Sequence, residues 1–202
     1  MIAIVDYDAG NVRSVEKAME HLGADATLTR DADLIRKADH VIVPGVGAFE
    51  DAMGRLDRYG LTEVIRDVAK SGKPIMGICL GLQLFFERSE ESEKNVEGLC
   101  LLPGKLKRFP DTTGYKIPQI GWNALHIKSG TRLFKGVDDG TFVYFVHSYY
   151  LEAKDRGDVA ATAEYMISFD AAVEHENIFA TQFHPEKSGE PGLRILKNFI
   201  SI

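Results

Sequence analysis

The chain has 202 residues, 45% hydrophobic and 27% charged, which suits one globular unit with a single sizeable core. Its formal charge of −6 disfavours nucleic acid or an anionic membrane as principal partner, because both reward a basic face. No stretch has the length of a membrane span, the N-terminus lacks the basic and apolar regions of a signal peptide, and no Cys or His spacing suits a zinc site or other metal centre.

In chain order, Ile2 to Val5 reads as a strand, followed by helical spacing through Val12, Val15, Met19 and Leu22, with Gly23 as a C-cap. Ala26 to Thr29 and His40 to Val43 are further strands, the latter halted by Pro44-Gly45. Glu50 to Tyr59 and Leu61 to Ser71 carry helical patterns, and Gly72-Lys73-Pro74 breaks the second of these before the apolar run ending at Cys79. Alternation of this kind predicts an α/β fold with a mainly parallel sheet covered on both faces. Glu87 to Glu97 reads as a solvated loop, and Gly98 to Leu102, including Cys100, as an apolar strand. From Gly98 to Gln182 short strand-like segments follow one another, predicting antiparallel strands at one sheet edge. Glu190-Pro191-Gly192 introduces a closing helix, Leu193 to Ile200. With no repeat or linker, residues 1–202 are expected to form one domain.

The chemistry concentrates in two places. Gly77-Ile78-Cys79-Leu80-Gly81 closes a buried strand and opens a helix, the pattern of a nucleophile elbow with sulfur in place of oxygen. A helix N-terminus also favours thiolate over thiol. Far along the chain, the strand Ile178 to Phe183 runs into His184-Pro185-Glu186. Alternation along an extended segment would set His184 and Glu186 side by side, the histidine shuttling protons and the carboxylate orienting it. Cys79, His184 and Glu186 together supply nucleophile, base and orienter for acyl transfer. A disulfide between Cys79 and Cys100 would disable such a nucleophile, so both are expected to be reduced and the location cytoplasmic. His21, His40, His126 and His175 read as ordinary surface or partly packed residues.

Gly77-Ile78-Cys79-Leu80-Gly81-Leu82-Gln83 and Phe183-His184-Pro185-Glu186 resemble the two signatures of the class I, triad-type glutamine amidotransferases. Asp6 to Asn11, Pro44-Gly45-Val46-Gly47-Ala48-Phe49, Ile120-Gly121-Trp122-Asn123 and His147-Ser148-Tyr149 extend the likeness over essentially the whole chain, toward the branch serving imidazole glycerol phosphate synthase. Asp8 departs from the glycine expected in the first loop. The resemblance implies a three-layer, flavodoxin-like fold and hydrolysis of L-glutamine to glutamate and ammonia, without cofactor. The ammonia would pass to a (β/α)8-barrel cyclase partner. It implies an oxyanion hole from the backbone of Leu80 and of Val46 or Gly47. Glutamine would be held by Gly45, Gln83, Glu91, Ser148 and Tyr149, and the cyclase would meet Asn11, Trp122, Tyr144 and Lys187. Two alternatives stand beside it: a glutaminase subunit serving another synthesis, disfavoured by Pro-Gly-Val-Gly-Ala-Phe, and a cysteine-bearing stress or regulatory protein of similar fold, disfavoured by His-Pro-Glu.

Overall fold

A computed structural model describes residues 1–202. The alternating first half forms β1 (Ile2–Val5), α1 (Val12–His21), β2 (Ala26–Thr29), α2 (Ala32–Lys37), β3 (His40–Gly45), α3 (Phe49–Arg58), α4 (Leu61–Lys70), β4 (Ile75–Cys79) and α5 (Leu80–Leu84). The second half supplies β5 (Arg88–Ser89), β6 (Gly104–Arg108), β7 (Gln119–Ile127), β8 (Phe142–His147), β9 (Tyr149–Ala153), β10 (Val159–Tyr165), β11 (Ile167–His175), β12 (Ile178–Thr181) and α6 (Gly189–Ile200).

Five strands run parallel in the order β2-β1-β3-β4-β12. Strands covered on both faces have no polar side to show, and β1, β4 and β12 are buried at every residue. One core, with Phe49, Leu56, Ile65 and Val68, lies under α3 and α4; the other, with Val15, Met19, Ile195 and Phe199, lies under α1 and α6. Beyond β12 the sheet turns antiparallel through β11, β10, β7 and β8, as the run of short strands predicts. The fold is thus α/β, with a largely parallel centre and an antiparallel edge.

Two local expectations are corrected. Cys100 is not strand filling: it is exposed, in a loop, with φ at +53°. Leu99 and Leu101 donate their N–H groups to the carbonyls of Leu84 and Phe85 at the end of α5, and Leu99 and Leu102 take the buried positions while Cys100 turns outward. The closing helix begins at Gly189 rather than Leu193, with Pro191 inside its first turn, where the N–H that proline lacks has no helical partner to lose.

Candidate active site

Parallel strands deliver their carboxyl ends to one edge, and register sets what meets there. Gly45 at the end of β3 pairs with Cys79 at the end of β4, and Ile78 pairs with Thr181 of β12, so Gln182 and His184 emerge beside the cysteine. Cys79 has φ 55° and ψ −106°, a strained bend that turns the chain from strand into α5. The neighbouring glycines allow the bend by close approach. A Cβ on Gly81 would lie 1.8 Å from the carbonyl oxygen of Val43, a backbone atom that cannot step aside. On the facing strand, a Cβ on Gly45 would strike the hydroxyl of Tyr7, which donates to the Pro44 carbonyl at 2.7 Å. Burial pushes the Tyr7 phenol well above its ordinary range, so it stays a donor there.

His184 and Glu186 do meet, by a different route from the one expected. The segment Pro185–Lys187 is a single 3-10 turn rather than extended chain, and it folds Glu186 back beneath the ring. His184 Nδ1 lies 2.8 Å from Glu186 Oε1, with both side chains sealed from solvent. Burial alone would discharge the ring; the Cys79 sulfur and Glu186 beside it prevail and hold His184 up at about 9. Its Nε2 is buried with no hydrogen-bond partner. Ser188 Oγ donates to the His184 carbonyl at 2.7 Å and the Tyr144 carbonyl accepts from the His184 N–H at 2.9 Å, fixing the backbone around the ring.

The residues expected to bind glutamine surround a cleft of about 350 Å³ beside Cys79, lined by Val46, Gly47, Leu80, Gln83, Glu91, Ser148 and Tyr149 among others. Gln83 is buried and donates to the Tyr149 carbonyl at 3.3 Å. Glu91 accepts the Phe49 N–H at 2.7 Å, so it also caps α3 and fixes the loop that precedes it. Gly45 lies at the strand end under this cleft without lining it.

The residues expected at a docking surface separate. Trp122 is 52% exposed and meets Tyr144 edge-on, with 5.9 Å between ring centroids. Ile120 and Phe142 are exposed on the same strand pair, and Lys187 is exposed beside the His-Pro-Glu turn. Asn11 instead reaches inward: its Nδ2 donates to Glu186 Oε1 at 2.8 Å. Sequence reasoning missed Tyr7, Gln119, His147 as an individual residue, and Gln182. Gln182 is fully buried and its Nε2 lies 3.8 Å from the Cys79 sulfur. Its place immediately before Phe183-His184 was the available signal.

Fold and site define a hydrolase of the elbow-cysteine type built on a flavodoxin-like sheet. The class I glutamine amidotransferase family matches residues 3–202, and the chain belongs to it. It is 49% identical over 199 residues to the imidazole glycerol phosphate synthase subunit HisH of Caldanaerobacter subterraneus subsp. tengcongensis, covering 98% of this chain and 97% of the relative. It is 48% identical over 204 residues to the subunit of the same name from Syntrophotalea carbinolica, covering 98% of each. Its fold is similar to that of a crystal structure of a glutamine amidotransferase, with TM-score 0.78, 19% identity and coverage of 100% and 98%. It is likewise similar to a chain in the structure of PurLQS from Thermotoga maritima, with TM-score 0.75, 21% identity and coverage of 99% and 97%. No helix is long and apolar enough to cross a membrane.

Proposed function

We propose that this chain is the glutaminase subunit of an imidazole glycerol phosphate synthase, and that Cys79, His184 and Glu186 carry out the hydrolysis. The observation that carries the reading is the sealed His184–Glu186 pair, 2.8 Å apart, facing a strained cysteine at the mouth of a cleft. The family and the full-length likeness to HisH subunits support the choice of partner, a cyclase that uses ammonia in histidine biosynthesis.

The Cys79 thiolate attacks the side-chain carbonyl carbon of glutamine, forming a C–S bond and moving an electron pair onto oxygen. Backbone N–H groups of Leu80 and of Val46 or Gly47 hold that oxyanion; losing one such donor costs about 3 kcal/mol, more than a hundredfold in rate. Protonated His184 gives its Nε2 proton to the leaving nitrogen as the C–N bond breaks, releasing ammonia and a glutamyl thioester. The now neutral imidazole takes a proton from water, which attacks the thioester and frees glutamate, restoring the thiolate and imidazolium. Glu186 keeps Nδ1 protonated throughout, so Nε2 is the atom that exchanges. Ammonia, being neutral, passes to the partner; Trp122, Tyr144 and Lys187 lie on the exposed face beside the triad and suit the docking surface.

The test mixes the chain with the cyclase and measures glutamate with and without the cyclase's phosphorylated substrate. Glutamate formation that rises with both supports the reading; background hydrolysis in every combination overturns it.

A further inference from the structure

The carbonyl of Tyr149, on the wall of the cleft, is the midpoint of a longer chain of polar contacts. On one side it accepts from Gln83, whose Nε2 also donates to Gln182 Oε1 at 3.1 Å, and Gln182 in turn reaches the Cys79 sulfur. On the other side His147 Nδ1 lies 2.8 Å from the same carbonyl and Nε2 2.9 Å from Gln119 Oε1. Gln119 Nε2 donates to Asn123 Oδ1 at 2.8 Å, and Asn123 Nδ2 donates to the Glu164 carbonyl at 2.9 Å. Gln83, Gln119, Gln182 and His147 are all more than nine-tenths buried, where a lost hydrogen bond is not replaced by water.

Two features make this more than packing. Side chains alternate along β7, so Gln119 and Asn123 face inward while Ile120 and Trp122 face outward, 64% and 52% exposed. The relay and the exposed apolar face are the two sides of one strand. The relay also has a mismatch of one proton. Both its outer partners, the carbonyls of Glu164 and Tyr149, only accept, so with these amide orientations both nitrogens of His147 must carry hydrogen. The surroundings oppose that second proton. Phe109, Phe145 and Phe169 pack on the ring, Gln119 and the Tyr149 carbonyl are its hydrogen-bond partners, and the only charged group facing it is His184. Burial, the largest influence, outweighs the bond to the Tyr149 carbonyl and, with the smaller effect of the His184 charge, pushes His147 down to about 4. With a single proton on Nδ1, Nε2 must accept. A singly protonated ring is then at odds with the Gln119 and Asn123 amides as they stand, and reversing both would set Asn123 Oδ1 against the Glu164 carbonyl behind Trp122.

We propose that Gln119, Asn123 and His147 are positioning residues whose relay carries the seating of the partner on the Ile120–Trp122 face to the Tyr149 carbonyl and, through Gln83 and Gln182, to the Cys79 sulfur. The proposal rests on the function proposed above. The test uses the full complex with the cyclase. Asn123→Ala removes the outer end of the relay without touching glutamine. Its unstimulated glutaminase rate should stay within about twofold of the natural protein. Stimulation by the cyclase's substrate should fall about tenfold or more, in kcat rather than KM, with cyclase affinity and ammonium-driven turnover unchanged. Gln119→Glu puts a carboxylate beside Nε2, so the acidic limb of the stimulated pH–rate profile should move up by about one unit. Normal stimulation in Asn123→Ala with an unmoved profile in Gln119→Glu overturns the proposal. So does an equal loss of unstimulated and stimulated rates with a lowered melting temperature, which marks a merely structural role. If the natural complex makes no glutamate at all, the functional reading fails and the relay's role falls with it.

Discussion

Asn11 gives Glu186 its one hydrogen bond from outside the His184 pair, while Glu186 Oε2 is buried without a partner. A carboxylate so sparsely held depends heavily on each donor. Asn11→Ala should therefore lower the glutamine-dependent rate about 10- to 150-fold, the loss of one charge-assisted bond of about 1.5–3 kcal/mol, with ammonium-driven turnover intact. Parallel assays of the two nitrogen sources check it; equal loss of both would place Asn11 in docking or folding instead. The two buried histidines give opposite pH signatures. His184 is raised to about 9, so the stability it contributes is full below its ordinary value near 6.5 and disappears as pH rises through about 9. His147 is lowered to about 4, so its contribution is full above about 6.5 and disappears as pH falls toward 4. Denaturant midpoints across pH should show the alkaline slope flatten in His184→Asn and the acid slope flatten in His147→Asn; unchanged slopes would contradict these charge states. At this scale the meeting of Cys79, His184 and Glu186 at one end of the sheet was legible, because each carries a distinctive reactive group in a distinctive local pattern. Gln119 and Gln182 were not, because a buried glutamine looks like any other until strand pairing sets its neighbours, and His147 was visible only as part of its motif.

The elbow depends on how tightly β4, α5 and β3 approach. Adding a methyl at Gly81 drives it into the backbone of β3, and backbone cannot change rotamer to make room. Gly81→Ala should cost about 3 kcal/mol or more and lower the melting temperature, beyond the usual range for overpacking. A melting temperature within a degree or two of the natural protein would contradict this packing. The alternation of apolar runs and helical spacing through residue 80 announced the parallel sheet because periodicity there changes cleanly between two and 3.6. It failed at Cys100, where apolar residues anchor a loop rather than form a ladder, and at Pro191, whose apparent role as a breaker conceals its suitability for a first helical turn. It also placed His184 and Glu186 together for the wrong reason, an extended alternation where a 3-10 turn does the work.

Over the whole molecule, Cys79, His184 and Glu186, the cleft, and the strand pair exposing Ile120, Trp122 and Phe142 lie together on one side of the sheet. A half-exposed tryptophan on a paired strand, backed by Tyr144, is the kind of anchor that concentrates binding energy. Trp122→Ala should weaken cyclase binding by about 2 kcal/mol, near thirtyfold in Kd, with little change in melting temperature. Titration calorimetry reads this directly, and unaltered affinity would move the docking surface elsewhere. The proposed hydrolysis stands on a covalent thioester between Cys79 and glutamine, formed under the control of His184. Acid quenching of the stimulated complex during turnover of radiolabelled glutamine, followed by peptide mapping, tests it most directly. Label is expected on the Cys79 peptide, released by neutral hydroxylamine and absent from Cys79→Ala. Glutamate produced at the natural rate by Cys79→Ala, or label on Cys100 instead, would contradict it.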